Sequence, residues 1–91
     1  MMEIKVTKTH IRLGKNETTS NTKCPVARAF KTAGFKDIFV GVELATTAGS
    51  VQQIELPENV QVFIREKLCA GLPMEPFSFK LTAKQVKTLR G

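Results

Sequence analysis

The sequence predicts one α+β domain with two layers, an about four-stranded and mostly antiparallel sheet with helices on one face. Three observations predict this class. The chain has 91 residues, a length that fits one domain. Its apolar residues recur with strand spacing and helix spacing by turns, in the order β-α-α-β-β-α-β-α. Its composition, 42% hydrophobic and 24% charged, is ordinary for a folded protein.

The first predicted element is a short strand, because Ile4 and Val6 alternate with charged neighbours. Thr7 is a typical N-cap for a short helix over residues 8–13, which Gly14 ends. The polar segment 15–23 then predicts an exposed loop, since its side chains compete with regular backbone pairing.

The next element is a helix over residues 25–33. Pro25 takes the favoured first helical position and Cys24 the N-cap position. Apolar residues follow at helical spacing, and Gly34 ends the helix.

A β-hairpin is predicted after this helix. Residues 38–44 alternate in polarity and are rich in β-branched side chains, which indicates a strand. The segment Ala48-Gly49-Ser50 is typical of a turn, and residues 51–56 supply the second strand. The loop of this hairpin has about five residues.

A second longer helix begins near Pro57 and ends at Gly71, with Val60, Phe63, Ile64 and Leu68 on its apolar side. It precedes a strand over residues 77–81. Prolines before that strand favour an edge or strand-start position.

The last predicted element is a short amphipathic helix. Thr82 and Gln85 have the spacing of a capping box, in which each residue's side chain bonds the other's backbone N–H. Val86 and Leu89 are expected to face inward.

Charge is concentrated at the two ends of the chain. Residues 1–36 carry eight Lys or Arg against two acids, residues 37–79 carry two against six, and residues 80–91 carry four against none. If the two ends meet, they form a basic face suited to phosphates or to an acidic protein surface. A solvated, soluble surface is the other explanation of the overall +6 charge.

Several classes of protein are not expected from this sequence. It has no apolar stretch long enough to span a membrane and no apolar signal region near its start, so we expect a cytoplasmic protein with no membrane partner. One His and two Cys are too few for a structural zinc site or a disulfide framework. No cofactor is expected.

The sequence offers one candidate catalytic pair, Cys24 and His10, as nucleophile and base. The start of a helix lowers the pKa of a thiol, and Lys23 adds positive charge. No third catalytic group or oxyanion motif accompanies the pair, so we expect no enzymatic activity. Cys24 is then a capping and packing residue, and His10 a partly buried hydrogen-bonding residue.

The polar loop and the helix that follows it are a candidate anion-binding site, and an ordinary solvated loop is the alternative explanation. Unpaired N–H groups at a helix start attract anions, although Pro25 removes one of those donors. A second candidate surface is the basic tail helix, and Phe39 beside Lys36 is a candidate dimer patch or base-stacking platform. The candidate binding residues are His10, Arg12, Lys15, Ser20, Lys23, Cys24, Arg28, Lys84, Lys87 and Arg90.

Three segments carry a family resemblance: Val6-Thr7-Lys8-Thr9-His10-Ile11-Arg12-Leu13-Gly14, Cys24-Pro25-Val26-Ala27-Arg28-Ala29, and Ala70-Gly71-Leu72-Pro73-Met74-Glu75-Pro76-Phe77-Ser78-Phe79-Lys80-Leu81. In this order they resemble small accessory proteins of bacteriophage and prophage genomes. The resemblance implies a viral protein in the host cytosol, and proteins of that kind include anti-CRISPR and signal-sequestering inhibitors of host defence. It assigns no catalytic residue. His10, Gly14, Cys24 and Pro25 would mark the site or its scaffold, and the tail from Thr82 lies outside the pattern.

The sequence therefore leaves three hypotheses. The first is a non-enzymatic phage accessory protein that binds an anionic partner, which is a host defence protein, a nucleic acid or a nucleotide. The second is a DNA- or RNA-binding regulator that uses a basic face. The third and least favoured is a thiol-dependent enzyme.

Overall fold

A computed structural model describes residues 2–14, 16, 22–47, 53–68 and 73–90. The strands are β1 (Met2–Val6), β2 (Ile38–Val40), β3 (Leu44–Thr47), β4 (Gln53–Glu55) and β5 (Phe77–Leu81). The helices are α1 (Lys8–Gly14), α2 (Pro25–Thr32), α3 (Glu58–Val62), which continues as a π-helical segment (Phe63–Leu68), and α4 (Ala83–Arg90). The predicted α+β class is confirmed.

The strands form two antiparallel sheets rather than the single sheet of about four strands that the sequence predicts. The first sheet pairs β1 with β5, with Ile4 opposite Phe79 and Val6 opposite Phe77. The second sheet has the order β2-β3-β4. The first and last strands are therefore direct neighbours, which brings the two ends of the chain together, the condition under which the charge pattern suggests a basic face.

The predicted strand over residues 38–44 is wrong in its second half. The backbone N–H of Gly41 donates to the carbonyl of Leu44 at 2.8 Å, which closes a tight turn and splits the run into β2 and β3. Val42 and Leu44 are consequently exposed, at 43% and 39%, while Ala45 is buried. The alternation of polarity continued across the turn, so it could not reveal the reversal. The predicted hairpin between residues 38–44 and 51–56 is confirmed only for its second strand, because β4 pairs with β3 and not with β2; the residues between β3 and β4 lie outside the described residues.

The end of α2 shows why Gly34 follows it. Gly34 has a φ of +102°, its N–H donates to the carbonyl of Lys31, and the N–H of Phe35 donates to the carbonyl of Phe30. These two bonds form a Schellman motif, which satisfies the last carbonyls of a helix. The accompanying apolar contact is an edge-on pair of the Phe30 and Phe35 rings, with centroids 5.6 Å apart.

Each sheet turns one face to a common core. Ile4, Val6, Phe79 and Leu81 are buried in the first sheet, and Ile38, Val40, Ala45 and Ile54 in the second. The opposite face of the second sheet is exposed and carries Phe39, which is 38% exposed and lies opposite Thr46. The self-association predicted from Phe39 stays a prediction. Among the described helices, none is long and apolar enough to cross a membrane.

Candidate anion-binding surface

The helices α1 and α4, which follow β1 and β5, begin with the same capping arrangement. In α4 the N–H of Thr82 donates to the side chain of Gln85 at 2.8 Å, and the N–H of Gln85 donates to the Thr82 hydroxyl at 3.1 Å, which confirms the predicted capping box. In α1 the N–H of Thr7 donates to His10 Nδ1 at 3.0 Å, and the N–H of His10 donates to the Thr7 hydroxyl at 3.3 Å. His10 therefore occupies the place that Gln or Glu holds in an ordinary capping box.

The second ring nitrogen of His10 joins α1 to α2. His10 Nε2 lies 2.9 Å from the hydroxyl oxygen of Thr32, and the Thr32 hydroxyl donates to the carbonyl of Arg28 at 3.1 Å. Because Nδ1 accepts the N–H of Thr7, Nε2 is the protonated nitrogen and donates to Thr32. Burial lowers the pKa of His10, the backbone carbonyl of Lys5 opposes that effect, and the nearby Arg28 charge adds to it. A neutral, fully hydrogen-bonded His10 is thus a link between two helices.

Gly14 provides the second link between α1 and α2. A methyl group at Gly14 would lie 2.6 Å from the nitrogen of Pro25 and 2.9 Å from the carbonyl carbon of Cys24. No side chain fits in that space, so the end of α1 rests directly on the backbone that starts α2. Gly14 belongs to α1 itself, whereas the sequence predicted that it would follow the helix.

Cys24 has the predicted N-cap role. Its backbone is extended, and its sulfur accepts the N–H of Ala27 at 3.5 Å. The side chain is 4% exposed, and burial raises the pKa of the Cys24 thiol more than its backbone N–H contacts and the Lys31 charge lower it. A raised pKa disfavours the nucleophilic thiolate. With both His10 nitrogens engaged by Thr7 and Thr32, this geometry gives the Cys24 and His10 pair no support as nucleophile and base.

Two basic side chains of α2 bend back over the segment before the helix. Arg28 Nε donates to the carbonyl of Lys23 at 2.7 Å, and Lys31 Nζ donates to the carbonyl of Thr22 at 2.6 Å. Both contacts are on the exposed side of the helix, and they hold positive charge close to the start of α2. They also reduce the freedom of two long side chains that an ionic partner would otherwise have to order.

We call the exposed side of these two helices the α1–α2 basic surface. Within the described part of residues 7–36 there are six basic side chains and no acidic one. These are Lys8, Arg12, Lys23, Arg28, Lys31 and Lys36. All are exposed except Arg28, which is half-buried. Among the described residues, the ion pair with a nitrogen and an oxygen within 4.0 Å of each other is formed by Lys5 and Glu3. Neither of these residues belongs to the α1–α2 basic surface.

The candidate residues on α4 form a separate group. Lys84, Lys87 and Arg90 are all exposed on this helix. The Arg90 guanidinium carbon lies 5.1 Å from the centre of the Phe35 ring, which is a cation–π contact. Arg90 and Phe35 also line a small cleft together with Lys36. Arg90 therefore approaches the residues that follow α2, and the basic tail meets the basic first third of the chain at a cleft that Asp37 also lines.

The candidate binding residues thus fall into two groups and a remainder. His10, Arg12, Lys23, Cys24 and Arg28 belong to α1, α2 or the segment before α2, where His10 and Cys24 lie beneath the surface. Lys15 and Ser20 lie outside the described residues. Three residues of the surface, Lys8, Lys31 and Lys36, are not among the candidate binding residues predicted from the sequence; for Lys31, only the structure shows the bond to Thr22.

Two further observations complete the chemistry of the surface. In the part of the chain that the structure describes, no three His, Cys, Asp or Glu side chains are close enough together to hold a metal ion. Comparison of the chain with protein-family models, with curated proteins and with solved structures finds no match.

Proposed function

We propose that this protein acts by binding, without catalysis, and that the α1–α2 basic surface contacts an anionic macromolecule. The observation that carries the proposal is the charge of that surface, six basic residues with no acidic residue in the described part of residues 7–36. Two of its cations are held in place by bonds to the carbonyls of Thr22 and Lys23. Such preorganised charge raises the rate of encounter with an anionic partner and selects against cationic ones.

The resemblance to phage accessory proteins extends this proposal. It favours a viral protein that works in the host cytosol and counters host defence by occupying a defence protein or its anionic ligand. His10 and Gly14 then belong to the scaffold of the surface, since both residues fix α1 against α2.

The alternative proposal is a DNA- or RNA-binding regulator that uses α4. Its support is that Lys84, Lys87 and Arg90 are exposed on an eight-residue helix with no acidic residue. Arg90 fits this alternative less well, since its guanidinium group lies over Phe35.

Two polyanions test the proposal and separate the alternatives. Fluorescein-labelled polyglutamate and a labelled DNA duplex of about 20 base pairs are titrated with the protein between about 50 and 300 mM NaCl, and binding is followed by fluorescence anisotropy. The α1–α2 proposal predicts saturable binding to polyglutamate at the lower salt concentrations. Duplex binding alone, weakening steeply with salt and lost on Lys84→Glu, would favour the regulator. The absence of binding to either polyanion at about 50 mM NaCl would contradict both proposals.

A further inference from the structure

A second surface, which shares Lys8 with the α1–α2 basic surface, has the form of a groove. The groove has a volume of about 510 Å³ and runs between the π-helical segment and the extended segment 73–76 that precedes β5. Segments with π-helical geometry are uncommon and often occur at functional sites. Residues from both walls line the groove, among them Asn59, Phe63, Lys67, Pro73, Glu75 and Phe77.

The floor of this groove is aromatic. The rings of Phe63 and Phe77 have centroids 4.6 Å apart and are tilted by 41°. Phe63 is buried at 6% exposure, whereas Phe77 is half-buried and presents part of its ring to the groove. This arrangement offers a pocket for one apolar side chain. It does not offer the flat, open ring face on which a nucleobase stacks.

The groove continues past Phe77. A shallower section of about 360 Å³ is lined by Lys5 and Lys8 together with Pro76, Phe77 and Ser78. Both sections share Pro76 and Phe77, so they form one extended depression. At the edge of β5, Asn59 Nδ2 donates to the carbonyl of Ser78 at 3.2 Å. This hydrogen bond occupies a backbone carbonyl that would have to accept an N–H from a strand added at that edge. An occupant therefore lies in the groove instead of extending the sheet there.

The charges around the groove define the chemistry of its occupant. Lys67 lies at one end and Lys8 at the other, both exposed, and Lys5 is paired with Glu3 at 3.8 Å. Glu75 lines the deeper section together with Lys67, so it would repel any phosphate or carboxylate placed beside it but can accept a peptide N–H. Two exposed lysines, one in each section of the groove, are complementary to carboxylates that flank an apolar side chain.

We propose that this groove, which we call the Phe77 groove, binds an extended acidic peptide segment of a partner protein. One large apolar side chain of the segment enters the pocket beside Phe63 and Phe77, and carboxylates on either side contact Lys67 and Lys8. This peptide site shares Lys8 with the α1–α2 basic surface, but Arg12 and Lys31 of that surface are not among the described residues that line the groove.

The test uses a labelled peptide, Asp-Glu-Asp-Leu-Phe-Asp-Glu-Asp, with Asp-Glu-Asp-Ser-Ser-Asp-Glu-Asp as a control of equal charge. Both peptides are titrated into ¹⁵N-labelled protein near physiological salt, and amide chemical shifts identify the residues that respond. We expect saturable binding by the first peptide, with the largest shifts around Phe63, Lys67 and Phe77. The control should bind at least about fivefold more weakly, because it lacks the apolar anchor.

Two charge reversals of equal size complete the test. Lys67→Glu should weaken the first peptide about fivefold or more, while Lys84→Glu, on α4 and outside the groove, should change its affinity less than about twofold. Both side chains are exposed, so neither substitution disturbs the core. Equal losses in the two variants, equal binding of the two peptides, or shifts confined to α1 and α2 would each overturn the proposal. If the protein binds polyglutamate but fails this test, the proposal for the Phe77 groove is wrong and the proposal for the α1–α2 basic surface still stands.

Discussion

His10 Nε2 lies 2.9 Å from the hydroxyl oxygen of Thr32, a residue 22 positions later in the chain, and this hydrogen bond joins α1 to α2. The other ring nitrogen of His10 accepts the N–H of Thr7, so one side chain both caps α1 and holds it against α2. The shape of the α1–α2 basic surface therefore depends on a neutral His10.

Removal of this link should destabilise the protein. We expect His10→Ala to lower the free energy of unfolding by about 1–3 kcal/mol, because the N–H of Thr7 loses its acceptor His10 Nδ1 and the Thr32 hydroxyl oxygen loses the donor His10 Nε2, keeping only its own bond to the carbonyl of Arg28. Thr32→Val should cost about 1 kcal/mol. Urea denaturation of both variants and of the double variant measures the coupling between the two residues. Additive losses would show that the bond contributes nothing, whereas a coupling of about 0.5 kcal/mol or more is expected.

Stability should also depend on pH through His10. The pKa of His10 in the folded protein lies below the 6.5 of an unfolded chain, so the unfolded chain binds the proton more readily. The contribution of neutral His10 to the free energy of unfolding is complete above about pH 6.5. It is lost as the pH falls from there through the pKa that His10 has in the folded protein. Unfolding free energies at about pH 7.5 and 5.5 should therefore differ more in the native chain than in His10→Gln. An equal pH dependence in the two proteins would contradict this role of His10.

Gly14 should not tolerate a side chain. In the interior of a helix, alanine is more favourable than glycine by about 1 kcal/mol of helix propensity. Gly14→Ala should nevertheless lower the unfolding free energy by about 1–3 kcal/mol, because its methyl group would meet the backbone of Pro25 at 2.6 Å. Gly41→Ala is the matched control, since its methyl group would lie 3.5 Å from the nearest atom, the Leu44 carbonyl oxygen. Thermal unfolding of both variants gives the comparison, and a Gly14→Ala protein as stable as Gly41→Ala would contradict the close approach of α1 to α2.

Cys24 should be protected from thiol reagents. Its side chain is 4% exposed and burial raises the pKa of its thiol, so both access and reactivity are low. Alkylation by iodoacetamide, followed by mass spectrometry of the Cys24 peptide, should be slow in the native protein and should accelerate when urea unfolds it. Rapid alkylation of the native protein would reopen the hypothesis of a thiol-dependent enzyme.

Local features of the fold could be predicted from the sequence because they depend on a few neighbouring residues. Thr82 with Gln85, Cys24 with Pro25, and Gly34 each specify a helix end through their own backbone requirements. The turn at Gly41 to Leu44 could not be predicted, since apolar residues keep the same alternation on both sides of it. The division of five strands into two sheets depends on contacts between distant residues, such as β1 with β5, which periodicity does not report.

The candidate surface could be predicted only in outline. The charge imbalance of residues 1–36 is visible in the sequence, and so is the position of Cys24 at a helix start. The bridge from His10 to Thr32, the bonds of Arg28 and Lys31 to backbone carbonyls, and the contact of Arg90 with Phe35 required the structure. The first three lie within or between α1 and α2, and the last lies where the end of α4 approaches the residues that follow α2.

The proposed function requires that the α1–α2 basic surface, and not overall charge, binds an anionic partner. A heparin column tests this with two double charge reversals, Arg12→Glu with Lys31→Glu and Lys84→Glu with Lys87→Glu. Both variants have the same net charge, and circular dichroism checks that both are folded. We predict that the first variant elutes at a much lower salt concentration than the native protein and the second at only a slightly lower one. Equal shifts for the two variants, or a larger shift for the α4 variant, would contradict the claim.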